Sequence, residues 1–254
     1  TIASFEDLNL KENLLRGIYT YGFEKPSSVQ TVGIAPVIAG KDCIIQAQSG
    51  CGKTATFTIA ALQIVDSGEK KCQIIALSPT REIADQTYIV MTNLAKYMFD
   101  LNILPAWGGK KIDYASIKDG QILIGTPGRI YDLINRGLIN ITNLSLFIID
   151  EADQMLNKGF KEQIVDIFHY IPNKTQIAIY SATMPQDILE ITNKFMKDPV
   201  KLLIKNTDLT LEGIKQYYIG LETEADKYAT VCDLYETISM AQSVIFCSSK
   251  KKNT

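Results

Sequence analysis

Short apolar runs recur along the chain at 42–47, 72–77, 102–107, 121–125, 146–149 and 176–180, and most do not alternate with polar residues. Runs rich in Ile, Val and Leu without a period of two fit strands buried on both faces of a parallel sheet. Between them lie helical patterns at 54–65, 82–98 and 161–170. Strand and helix in alternation predict a doubly wound α/β domain with its active site at the carboxyl ends of the strands. Asp198-Pro199 leads into one more short strand, 200–204. The stretch 205–213 is polar and aperiodic, as a linker is. A strand-like run follows at 214–221, then a helical one at 225–238 and a strand-like one at 243–247. The expected organisation is therefore a first domain over 1–204, a linker over 205–213, and the start of a truncated second domain over 214–254, too short to stand alone.

Composition changes this picture little. The chain has 254 residues, 46% hydrophobic and 21% charged, which suits a soluble protein with a sizeable core. No apolar run reaches the ~18 residues of a membrane span. The N-terminus lacks a secretory pattern. Cys43, Cys51, Cys72, Cys232 and Cys247 are scattered and never spaced as C-x-x-C, so they imply a reduced compartment and no zinc site. A net charge of −2 excludes a broadly basic nucleic-acid binder, so any such contact must be local.

Two segments carry chemistry. Ala47-Gln48-Ser49-Gly50-Cys51-Gly52-Lys53-Thr54 follows a strand and opens a helix, the context of a phosphate-binding P-loop. Gly50 and Gly52 let the backbone turn its amides, those of Gln48, Ser49 and Cys51 included, toward phosphates. Lys53 reaches the β/γ oxygens, and the Thr54 hydroxyl suits Mg2+. Downstream, Asp150-Glu151 directly follows the run at 146–149. Asp150 is placed to hold the metal with Thr54, and Glu151 to orient or deprotonate a water. Together they point to hydrolysis of a nucleoside triphosphate, with Lys53, Asp150 and Glu151 catalytic.

Asp150-Glu151-Ala152-Asp153 resembles the signature of the DEAD-box ATP-dependent RNA helicases, and other motifs of that family stand in order around it. Gly22-Phe23-Glu24-Lys25-Pro26-Ser27-Ser28-Val29-Gln30 is similar to the segment that selects adenine, with an isolated aromatic upstream at Phe5. Pro79-Thr80-Arg81-Glu82, Gly108-Gly109 and Thr126-Pro127-Gly128-Arg129 resemble segments that hold RNA, and Ser181-Ala182-Thr183 the one that couples hydrolysis to strand separation. Val244-Ile245-Phe246-Cys247 is similar to the first motif of the family's second domain. Leu14-Leu15-Arg16-Gly17-Ile18-Tyr19 and Leu209-Thr210-Leu211-Glu212-Gly213-Ile214-Lys215-Gln216 narrow the resemblance to the initiation-factor 4A branch, which includes a splicing-linked relative of the exon junction complex.

The resemblance implies a RecA-like first domain, an incomplete second one, and ATP with Mg2+ as cofactors. It assigns adenine binding to Phe5, Lys25 and Gln30, with Phe5 stacking and the Gln30 amide matching N6 and N7. RNA contacts fall to Pro79, Thr80, Arg81, Gly109, Thr126 and Arg129, and coupling to Ser181 and Thr183. Such groups grip phosphates and 2′-hydroxyls, so the expected hold on single-stranded RNA is independent of sequence. The implied partners are RNA and proteins of the initiation-factor 4G type, with no membrane, a monomeric state and a cytoplasmic location, nuclear for the splicing-linked relative. The implied activity is remodelling of short RNA duplexes. A second reading is an ATP-dependent RNA clamp that serves as a scaffold, and a third a DNA-directed or regulatory P-loop ATPase. The arginine-rich motif of the family's second domain does not occur in these residues, so this chain is expected to be a weak ATPase by itself.

Overall fold

The computed structural model describes residues 2–109, 116–157, 159–204, 215, 217–239 and 241–246. It comprises two compact units, Thr1–Thr210 and Leu211–Thr254. The expected linker, 205–213, lies outside the described residues.

In the first unit each apolar run becomes a strand: β1 (Cys43–Gln46), β2 (Ile74–Leu77), β3 (Ile103–Ala106), β4 (Ile122–Gly125), β5 (Leu146–Ile149), β6 (Gln176–Ser181) and β7 (Val200–Leu203). They form one sheet in the order β3-β4-β2-β5-β6-β1-β7. Every pairing is parallel. The chain winds toward one edge from β1 through β2 to β3 and then reverses, running back from β4 to β7, which marks a doubly wound sheet.

Why these runs carry no polar alternation is visible in the core. Cys43, Ile45, Ile74, Ala76, Ile122, Ile124, Leu146, Ile148, Ala178 and Tyr180 face one side. Ile44, Ile75, Leu77, Leu123, Phe147, Ile149, Ile177 and Ile179 face the other. The first side is covered by α1 (Glu12–Tyr21), α2 (Ser28–Ile38), α3 (Lys53–Ile64) and α4 (Arg81–Leu94). The second is covered by α5 (Pro127–Asn135), α6 (Ala152–Asn157), α7 (Lys161–Tyr170) and α8 (Gln186–Phe195). With helices on both faces, each residue of the central strands has an apolar destination whichever way it points, whereas the edge strand β7 leaves Lys201 and Leu203 exposed.

Packing also sets limits that spacing does not reveal. The helical pattern at 82–98 stops at Leu94, and the chain then turns, with Met98 N–H donating to the Ala95 carbonyl at 2.7 Å. Helices α1 and α4 approach so closely that a Cβ on Gly17 would stand 1.9 Å from the Leu94 carbonyl oxygen. No side chain fits there without moving one helix.

The second unit contains α9 (Asp226–Thr237), close to the helix expected at 225–238. Its N-terminus is fixed by Asp226, whose carboxylate accepts from the Thr223 hydroxyl at 2.7 Å and the Thr223 N–H at 3.2 Å. The strands expected at 214–221 and 243–247 need correction: their described residues, 215, 217–221 and 243–246, form none. A strand needs a hydrogen-bonded neighbour and a covered face. Here Tyr217, Tyr218 and Phe246 are 85%, 96% and 92% exposed. Among the described residues no helix is long and apolar enough to cross a membrane.

Candidate active site

The motif residues collect where β1, β2, β4, β5 and β6 end. The loop after β1 turns on two left-handed glycines, Gly50 (φ 87°) and Gly52 (φ 95°), before α3 begins at Lys53. Register places the end of β1 beside β6, and β6 beside β5, so the loop lies near Asp150 and Glu151. The Lys53 ammonium, almost wholly buried, donates to the Ala47 carbonyl at 2.8 Å and pairs with Glu151 Oε1 at 3.2 Å. The Ser49 hydroxyl donates to the same Glu151 oxygen at 3.4 Å. Glu151 has a left-handed backbone (φ 50°), a conformation costly for a non-glycine residue and one that collects at functional sites. Its Oε2 is buried without a hydrogen-bond partner.

Asp150 is 2% exposed. Burial pushes its carboxyl up to about 7, and the Glu151 charge adds to this, while Lys53 and the Glu151 N–H oppose it. Asp153 behaves differently. Burial alone would raise it, but the hydroxyl and N–H of Thr183, the Gln154 N–H and the Ser181 hydroxyl together hold it below the usual range. Thr183 Oγ1 and N–H donate to Asp153 Oδ2 at 2.7 and 2.9 Å, and the Asp153 N–H donates to Ser181 Oγ at 3.2 Å. The end of β6 is thus tied directly to the turn carrying Asp150 and Glu151.

The helix-α2 side supports the loop from beneath. Ser27 and Gln30 form a capping box, Gln30 Oε1 accepting the Ser27 N–H at 2.9 Å. The Ser27 hydroxyl donates to the Cys51 carbonyl at 2.9 Å. A Cβ on Gly52 would lie 2.9 Å from Gln30 Nε2 and 3.1 Å from Ser27 Oγ, so α2 and the loop fit only through glycine. The Gln30 acceptor is therefore engaged within the fold, leaving Nε2 as its group for a base. The expectation for Phe5 is corrected. Its ring is 0% exposed and packs in the core, 6.3 Å edge-on from Tyr19, so it presents no face to a base. A short helix at Glu6–Leu8 and the apolar underside of α1 draw it inward. Lys25 is exposed.

The expected RNA residues lie on the same sheet edge. Thr80 caps α4, its hydroxyl accepting the Ile83 N–H at 3.2 Å, and Pro79 is buried beneath it. The exposed Arg81 guanidinium lies over the glycine pair: a Cβ on Gly108 would meet it at 2.7 Å, and one on Gly109 (φ 87°) at 3.4 Å. Thr126 precedes α5, and its N–H donates to the Ala106 carbonyl at 3.2 Å. Arg129 pairs with Asp132 at 2.7 Å, so part of its charge is balanced within α5.

Sequence reasoning quoted Asp153, Ser27 and Gly108 within motifs but gave them no role of their own. The capping-box spacing Ser27-x-x-Gln30 was the available signal for the second. The bonds of Asp153 to Thr183 span 30 residues and had none.

The donor set suits Mg2+ carried in with phosphates. Thr54 and Asp150 offer hard oxygens, and among the described residues no cluster of three or more acids, His or Cys could hold a metal alone. Magnesium sites built from one or two protein oxygens and substrate phosphates have this character. A cleft of about 570 Å³, lined by Lys11, Gln63, Asp66, Met98, Phe99 and Asp100, lies away from this edge, by the loops entering β2 and β3.

A family model described as DEAD/DEAH box helicase matches residues 27–191. Proteins named ATP-dependent RNA helicase eIF4A from Pyricularia oryzae and Chaetomium globosum are 50% and 51% identical over 99% of this chain. The chain spans 64% of the length of these curated relatives. Among solved structures, S. cerevisiae Dbp5 L327V bound to RNA and ADP BeF3 is similar with a TM-score of 0.86 and 31% identity, over 98% of this chain and 64% of that one. A DEAD box protein from Methanococcus jannaschii gives 0.77 and 36%, over 92% and 64%. With the RecA-like sheet and the ordered site residues, this match shows that the chain belongs to the DEAD/DEAH box helicase family.

Proposed function

We propose that the first unit is the ATP- and RNA-binding part of an eIF4A-like ATP-dependent RNA helicase. The observation that carries this is the contact of Lys53 and Ser49 with Glu151, in a turn that Asp153 ties to Thr183. An arriving γ-phosphate competes with Glu151 for Lys53. Once released, the Glu151 carboxylate can accept a proton from a water attacking phosphorus, as the bond to the ADP oxygen breaks. Thr54 and Asp150 would hold Mg2+, which neutralises phosphate charge when bound. Asp153 then carries any shift of this turn to Ser181 and Thr183.

RNA would lie across Thr80, Arg81, Gly108, Gly109, Thr126 and Arg129. Backbone amides, hydroxyls and two guanidiniums need no basic surface, which suits the net charge of −2. No arginine follows Arg136, so the second unit offers no guanidinium to the γ-phosphate. Hydrolysis by this chain alone should accordingly be slow, by a factor on the order of 10³ or more. A cytoplasmic setting with initiation-factor 4G-type partners, a domain boundary near 204 and a second RecA-like domain begun after 213 complete the proposal. Filter binding with RNA and DNA of equal sequence tests it. RNA should bind more tightly with ATP and Mg2+ present, and equal binding of DNA would contradict the 2′-hydroxyl grip.

A further inference from the structure

Ser78, one residue beyond β2, is not among the residues assigned a role above. It is 0% exposed, and its hydroxyl has no hydrogen-bond partner. Buried hydroxyls are nearly always bonded, because leaving one unpaired sacrifices its hydration for nothing. Its neighbourhood supplies a reason. Leu77 pairs with Ile149, and the Asp150 N–H donates to the Leu77 carbonyl at 2.9 Å, so Ser78 and Asp150 are lateral neighbours as the strands continue. Side chains alternate along both strands. Ala76 and Ile148 face the α1–α4 side, Leu77 and Ile149 face the other, and Ser78 and Asp150 return to the first. Neighbouring strands run about 4.8 Å apart, so one side-chain rotation brings the Ser78 hydroxyl within hydrogen-bond reach of the carboxylate. The contact Asp150 already makes is to the Glu151 N–H, at 3.0 Å through Oδ1. The other flank is taken by Tyr180, whose ring packs against Phe57 at 5.2 Å.

We propose that Ser78 is a positioning residue for the metal site: its hydroxyl donates to the Asp150 carboxylate when that group turns to hold Mg2+, fixing which oxygen faces the metal. This rests on the reading of Asp150 as a magnesium ligand. The hydroxyl stays unpartnered in the arrangement where Glu151 engages Lys53, and gains its bond when Asp150 reorients. Partners behind a metal ligand commonly tune affinity in this way.

The test is equilibrium binding of a fluorescent ADP analogue to the 254-residue chain, with Mg2+ titrated in, for wild type and Ser78→Ala. Melting temperatures are measured beside it. Ser78→Ala should raise the Mg2+ concentration giving half-maximal enhancement by about 10-fold. Metal-free nucleotide affinity should not change. The melting temperature should hold or rise, because the variant deletes an unsatisfied buried hydroxyl. A merely structural serine would instead lower the melting temperature and leave the Mg2+ titration alone, which would overturn the proposal. Should wild type show no Mg2+ enhancement, the reading of Asp150 itself fails. Should wild type show it and Ser78→Ala match it, only the role of Ser78 fails.

Discussion

The proposed mechanism gives Glu151 two jobs that cannot be done at once. Paired with Lys53 it neutralises a buried ammonium, and once released the same carboxylate would act as a base beside the phosphate. Glu151→Gln keeps the shape and removes the charge, so a phosphate meets less competition for Lys53. Nucleotide affinity should rise by about tenfold, on the order of 1.4 kcal/mol, while hydrolysis falls to background. Isothermal titration and phosphate release measure the two, and unchanged hydrolysis would remove Glu151 from the chemistry. Asp150 gives a pH signature. Its folded carboxyl titrates near 7, above the usual carboxylate value, so between those two points the folded chain binds a proton that the unfolded chain lacks. Stability should therefore fall as pH rises through that window and level off above about 7. Asp150→Asn should remove this component of the slope and abolish Mg2+-enhanced nucleotide binding. Parallel melting curves for wild type and variant from pH 5 to 8 would refute it.

Among the elements, the α1–α4 crossing is the most constrained contact. A methyl on Gly17 would overlap the Leu94 carbonyl, so Gly17→Ala should cost about 1–3 kcal/mol by displacing one helix from the sheet. Urea denaturation should show it as a lower midpoint, and a wild-type midpoint would mean the helices are not so close. The central strands were legible because each has two covered faces: 146–149 reads as a strand and is one, with Phe147 and Ile148 buried on opposite sides. The phosphate loop and acidic pair were legible because short-range glycine, lysine and strand-end spacing define them. Phe5 was not. An aromatic upstream of a nucleotide motif serves equally as a base platform or a core residue, and only the packing of Glu6–Leu8 on α1 decides. The strand-like runs of the second unit failed for the complementary reason, since apolar pattern predicts a strand only where a neighbour completes the ladder.

In the molecule as a whole, one sheet edge of the first unit joins three segments that lie far apart in sequence. The loop at 47–54, the acids at 150–153 and the Ser181–Thr183 segment are linked by direct bonds. Arg81, the glycine pair and Thr126 continue along that edge. Lys53 sits at the centre, and equilibrium titration of ATP with Mg2+ against wild type and Lys53→Met is the most direct test of this arrangement. ATP should bind the wild-type chain, and the variant should bind at least about tenfold more weakly, since it loses the charge that meets the β/γ oxygens. Equal ATP affinity in the two proteins would contradict the account.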